Sequence, residues 1–171
     1  MTATRPFHEG ELAAQMRFNE PWSEERSVRL GRLIGKALDD EKALFIERLP
    51  FFFLATADAE GHCDCSFRGT EWTPAGERLP VVWVAEPMRV LFPDYSGNGM
   101  FNSLGNIIQN GHVGLLFLDF ASQTRLRVNG GARILEGPGE WQSRWPAARR
   151  VVEVEVHQVY WNCSKRIPTR A

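Results

Sequence analysis

Apolar positions along the chain change period near residue 50. Before it, Ser23 reads as a helix N-cap, with Glu24 and Glu25 in the first turn where the helix dipole favours them. Leu30, Leu33, Ile34, Ala37 and Leu38 then recur at i, i+3, i+4, i+7 and i+8, one apolar face of a helix. Asp39 and Asp40 break and recap it, and Lys42 to Leu49 forms a second short helix closed by Pro50. Residues 1–22, with Phe7-His8-Glu9-Gly10-Glu11 and Pro21-Trp22, show no clean period and read as an extended arm.

After residue 50 the pattern shortens to that of strands. Phe51–Ala57 is a short apolar run ended by Asp58-Ala59-Glu60-Gly61, and His62–Arg68 returns as its hairpin partner. Leu79–Ala85 and Met88–Phe92 are two further strands. Gly99–Gln109 is a helix with Phe101, Leu104, Ile107 and Ile108 inward, stopped by Gly111. Val113–Phe120 and Arg125–Leu135 are long strands, and Gly137-Pro138-Gly139 opens a short helix containing Trp141 and Trp145. In Arg149–Trp161, Val152, Val154, Val156 and Gln158 alternate with Glu153, Glu155 and His157. About seven strands joined by hairpins, with one helix inserted, predict an antiparallel barrel or sandwich, mainly β with α (α+β). The expected division is an arm with two helices over residues 1–50, packed on a barrel over 51–171 as a single structural unit.

The inserted helix brings in the chemistry. Pro93-Asp94-Tyr95-Ser96-Gly97-Asn98-Gly99-Met100-Phe101-Asn102-Ser103-Leu104 runs from a strand end through a glycine-rich loop into a first helical turn. Free amides at a helix start attract anions, glycines admit a ligand close to the backbone, and Asn102 and Ser103 add side-chain donors. A solvent loop whose glycines only serve turn geometry is the competing reading. Arg68, just beyond an apolar hairpin, needs an anionic partner: a phosphate or a structural carboxylate.

Composition narrows the class. The chain has 171 residues, 43% hydrophobic, with six Trp, eleven Phe and a formal net charge of −1. That balance, with no basic stripe, argues against a nucleic-acid partner. No long apolar run predicts a membrane span, and the absence of an export signal with three cysteines places the chain in the cytoplasm as an expectation. Cys63 and Cys65 share a face if they lie on a strand, as two small sheet residues or half of a metal site. No nucleophile–base–orienter set is visible.

Five segments in order resemble the pyridoxamine 5′-phosphate oxidase-related flavin-binding proteins. They are Phe51–Ala57, Asp64-Cys65-Ser66-Phe67-Arg68-Gly69, Asp94–Asn106, Val113–Phe117 and Arg125–Ala132. The closing Val159–Arg166 and the opening Phe7–Glu11 with Gln15 are similar to one branch of that family. The resemblance implies an FMN-binding split β-barrel, a homodimer, and one FMN at each subunit interface. The cofactor-binding residues it implies are Ser66, Phe67, Arg68, Asn98, Asn102, Ser103, Arg125, Trp161, Lys165 and Arg166. Ser66, Phe67 and Arg68 would run beside the ring, with Arg68 reaching the phosphate and Arg125 at the pyrimidine edge. Trp161 would pack on the flavin edge or in the dimer core. Asn102 and Ser103 stand where the oxidases carry a basic pair, so Arg68, helix amides and Lys165 or Arg166 would supply the charge. Gly69-Thr70-Glu71-Trp72 replaces the oxidases' following lysine, and the closing motif differs, which argues against a vitamin B6 substrate. The implied activity is an FMN-dependent oxidoreductase or flavin reductase taking electrons from NAD(P)H or another small donor. The alternatives are an FMN carrier or sensor, or a related barrel binding haem (with His8 or His112 as axial ligand) or F420.

Overall fold

The longest strand is the one with the most regular alternation. In a computed structural model describing residues 7–18 and 23–168, Arg150–Asn162 forms β7. The chain falls into two units, Met1–Gly35 and Lys36–Ala171.

In the first unit, α1 (Glu9–Arg17) replaces the extended arm that the sequence suggested. The missed signal is a capping box: His8 Nδ1 accepts from the amides of Gly10 and Glu11 at 3.1 and 3.4 Å, and Glu11 Oε2 accepts from the His8 amide at 2.9 Å. Pro21 and Trp22 of that arm lie outside the described residues. Ser23 caps α2 (Glu24–Leu33) as expected, accepting from the Arg26 amide at 3.2 Å. The helix stops before Ile34, whose backbone is extended.

The second unit opens with α3 (Asp40–Arg48), capped by Asp39, whose carboxylate also pairs with the Lys42 ammonium. Its last carbonyls, Arg48 and Leu49, accept from the guanidinium of Arg78 at 2.9 Å each. Then come β1 (Phe51–Ala57), β2 (Cys63–Gly69), β3 (Trp83–Glu86), β4 (Arg89–Asp94), α4 (Asn102–Gln109), β5 (His112–Asp119), β6 (Thr124–Leu135), a 3₁₀ turn (Glu140–Ser143) and β7. The seven strands make one antiparallel sheet, in the order β2-β1-β5-β6-β7-β4-β3. It is mainly β with α, and the sheet does not close on itself.

One face carries the main core. Phe52 and Leu54 of β1, Leu115 and Phe117 of β5, Leu126 and Val128 of β6, and Val152, Val154 and Val156 of β7 are fully buried there. Each such side chain contributes about 1.5–3 kcal/mol relative to exposure. Leu91, Trp141, Trp145 and Val151 form a second cluster, in which Trp145 Nε1 donates to the Pro80 carbonyl at 2.6 Å. Glu153 is buried between Arg89 (2.5 Å) and Arg133 (2.6 Å); burial pushes its carboxyl up, but the two arginines more than offset this and hold it below the usual range. Val81 and Val82 are buried but not in a strand, so β3 is shorter than Leu79–Ala85.

The alternation in β7 is interrupted once. Asn129 pairs with Gln158 and Gly130 with Val156, so His157 is an extra residue in β7. After this bulge Val159 is buried and Gln158 exposed, which corrects the expected continuation of the Val152–Val156 face. In α4, Leu104 and Ile107 are buried as expected, but Phe101 is 53% exposed and Ile108 76%. Gly111, with φ of 71°, ends the helix.

The bulge predicts its own sensitivity. A Cβ on Gly130 would lie 2.0 Å from the Glu155 carbonyl oxygen, whereas one on Gly131 meets its first neighbour at 3.5 Å. Gly130→Ala is expected to destabilise by about 3 kcal/mol or prevent folding, with Gly131→Ala within about 1 kcal/mol of wild type in denaturant titration.

Candidate functional site

The core-facing side chains of β2 invert the usual pattern. Asp64, Ser66 and Arg68 sit opposite Thr56, Leu54 and Phe52 of β1, while Cys63, Cys65 and Phe67 are exposed. A polar inward row is tolerated because α4 starts above it. The α4 N-cap is Phe101, in the left-handed region with φ of 55°, and no side chain caps the first turn. Its amides are therefore free to meet an anion. Asn98 Oδ1 accepts from the Met100 amide at 3.0 Å, and Gly99 takes φ of 78°, so the loop bends into the helix at the position the glycine-rich stretch marked.

A hydrogen-bonded chain links strand and helix. Arg68 Nε donates to Ser66 Oγ at 3.2 Å, Ser66 Oγ meets Ser103 Oγ at 3.1 Å, and Ser103 Oγ donates to Asp64 Oδ2 at 3.2 Å. Asp94, at the end of β4, lies 3.6 Å from Arg68 Nη1 and 3.4 Å from Arg150 Nε. The Arg150 guanidinium also lies over the Phe101 ring, 5.4 Å from its centroid. Burial lowers the Arg68 pKa, opposed by the charges of Asp94 and Asp64, and the guanidinium stays protonated.

Apart from Arg150, these groups line a cavity of about 340 Å³ with Tyr95, Gly97, Asn98, Gly99 and Asn102. Its apolar lip is Phe67, Met100 and Phe101, each more than half exposed. The Tyr95 hydroxyl is buried without a hydrogen-bond partner, and burial pushes the phenol up to about 12. Among the lining residues Arg68 is the one cation, against Asp64 and Asp94.

Six of the sequence-expected residues thus converge: Ser66, Phe67, Arg68, Asn98, Asn102 and Ser103. The other four do not join them. Trp161 lines a second cavity of about 530 Å³ between α3, the β5–β6 turn and the end of β7, with its ring 4.9 Å from Phe45. Arg125 and Asn162 are cross-strand neighbours beside it, and Arg125 Nε and Asn162 Oδ1 are buried without partners. Lys165 and Arg166 line neither cavity, so the charge expected from them at the helix start is absent within one chain. Sequence reasoning missed Asp64, Tyr95 and the Asp94–Arg150 pair. Asp64 was legible, since it shares the period of two with Ser66 and Arg68. Asp94 and Arg150 face each other only through the β4–β7 register.

The arrangement offers donors for an anionic group beside an apolar surface for a flat one. Among the described residues no group of three or more His, Cys, Asp or Glu is placed to hold a metal ion, and no helix is long and apolar enough to cross a membrane.

The fold is shared with solved structures at low sequence identity. HupZ of Group A Streptococcus matches with a TM-score of 0.55 and 16% identity, over 78% of this chain and 99% of that one. A candidate pyridoxamine 5′-phosphate oxidase from Lactobacillus delbrueckii matches at 0.54 and 20%, over 74% and 95%. An FMN-binding protein from Syntrophomonas wolfei matches at 0.54 and 11%, over 72% and 85%. No curated protein sequence matches. The sequence profile described as pyridoxamine 5′-phosphate oxidase matches residues 38–163, which take in the whole sheet and its inserted helix. The chain belongs to the pyridoxamine 5′-phosphate oxidase family.

Proposed function

We propose that this protein is a flavin-binding oxidoreductase that takes FMN in the cavity between β2 and α4. The observation that carries this reading is the convergence of the uncapped α4 start with Arg68, Ser66 and Ser103 at a cavity rimmed by Phe67, Met100 and Phe101. The α4 amides, Asn102, Ser103 and Arg68 would hold the phosphate, the rim would cover part of the ring, and the unpartnered Tyr95 hydroxyl would donate to a ligand oxygen. The donor chemistry fits a phosphorylated flavin. Bound flavin supplies the electron-transfer chemistry, which accords with a site that has no nucleophile–base pair.

The reading includes a homodimer. Arg125, Trp161, Lys165 and Arg166 lie away from the phosphate donors of their own chain, so they are proposed to meet the flavin of a second copy. Arg125 Nε and Asn162 Oδ1, buried and unpartnered, support a ligand or subunit contact at that end. Light scattering is expected to give a dimer; a monomer that binds flavin fully would remove the shared-site part of the proposal.

The direct test is uptake of FMN by the purified protein, read as flavin absorbance that survives desalting. Anaerobic addition of NADH or NADPH is then expected to bleach the bound flavin; full retention of colour with both donors would favour a carrier or sensor. Arg68→Ala is expected to weaken FMN by about 2 kcal/mol, some thirtyfold, as a charge-assisted phosphate contact is lost. Tyr95→Phe removes a hydroxyl with no protein partner, so thermal stability is expected to hold while flavin binding weakens several-fold in a fluorescence titration. Unchanged binding would leave that hydroxyl without a ligand role.

A further inference from the structure

Asp64 is the lining residue for which the flavin reading has no use. Its place in the hydrogen-bonded chain fixes the direction of every proton there. Arg68 Nε can only donate and an ionised carboxylate can only accept. Ser66 must therefore donate to Ser103, and Ser103 to Asp64, across contacts of 3.1 and 3.2 Å. Both hydroxyl protons are committed before any ligand arrives, and the acceptor is an anion of the protein itself. The second carboxylate, Asp94, takes Arg68 Nη1 and Arg150 Nε at 3.6 and 3.4 Å. Arg150 pairs with Asp94 from outside the lining, so within the cavity Asp64 and Asp94 face the single cation Arg68 among the described residues.

A phosphate monoester brings nearly two negative charges near neutral pH. To grip it, Ser103 must turn its proton away from Asp64 and leave that carboxylate facing the incoming anion. We infer that Asp64 is a specificity-determining residue that offsets the attraction of Arg68 and the α4 amides for a phosphate. The cavity then holds flavin chiefly by its ring system and accepts riboflavin nearly as well as FMN. This rests on the flavin reading above and extends it to which flavin is taken.

Asp64→Asn separates charge from shape, because the amide oxygen still accepts from Ser103. Dissociation constants for FMN and riboflavin would be measured by fluorescence quenching on wild type and variant. Wild type is expected to hold the two flavins within about threefold of each other, and Asp64→Asn to tighten FMN about tenfold while leaving riboflavin unchanged, as expected for removing one like charge at short range. Asp64→Ser, which also offers an oxygen acceptor, gives the same readout if the asparagine variant does not fold. A wild-type preference for FMN of about a hundredfold, or an FMN-to-riboflavin ratio unmoved by either substitution, overturns the role of Asp64 while the flavin reading stands. Failure of folded wild type and variants to bind either flavin overturns both.

Discussion

The ion pair between Arg68 and Asp94 is the constraint on which the site depends. In the strand order β2 is one edge and β4 lies one strand from the other, yet the two side chains meet at 3.6 Å. The sheet must curl until its ends approach, and this contact spans the opening. A half-buried arginine is costly unless it is paired, and Asp94 is itself held by Arg150 from the neighbouring strand. Such a triad adds little net stability compared with apolar packing. Its contribution is positional: it fixes the Arg68 guanidinium, and Arg68 in turn orders the two serine hydroxyls beneath α4.

The same geometry explains why a polar row can face inward on β2. Thr56, at the end of the core row on β1, accepts from Asn106 Nδ2 of α4 at 3.0 Å, so the polar strip continues across the helix. Leu104 and Ile107 anchor α4 on the core, and Ser103 is carried down with them to 3% exposure. The hydroxyl therefore reaches Ser66 and Asp64 because the neighbouring leucine is hydrophobic. Packing energy from the apolar positions sets the position of the chemical ones.

Legibility in the sequence followed the range of the interactions. The strands, the α3 and α4 helices, the glycine-rich entry to α4 and the Ser66–Arg68 segment are local patterns, and the chain shows them as patterns. The bulge at His157 was hidden because it depends on how close β6 approaches β7 at Gly130, and no alternation within β7 encodes that distance. The Asp94–Arg150 contact was hidden for the same reason, being a product of register between strands more than fifty residues apart in sequence. The α1 cap was missed on chemical grounds: histidine is seldom considered a cap, although its ring nitrogen accepts as a serine oxygen does. Phe101 was assigned inward because it continues the apolar period of α4, but its left-handed N-cap backbone turns it out of that row and under Arg150.

The exposed aromatic residues and the unpartnered buried atoms point the same way. Phe67 is 62% exposed although its ring stacks on Phe51 at 5.3 Å, so half of a hydrophobic contact has been built and half left open. Met100 and Phe101 extend that open surface to the mouth of the first cavity. Asn162 lines the second cavity, and its Oδ1 and the Nε of its cross-strand neighbour Arg125 are buried without partners. The first cavity also holds a polar group without a partner, the Tyr95 hydroxyl, and the second has an exposed leucine, Leu44, so each leaves groups of both kinds open. The shared site proposed above would cover the open rim and bring partners to these atoms.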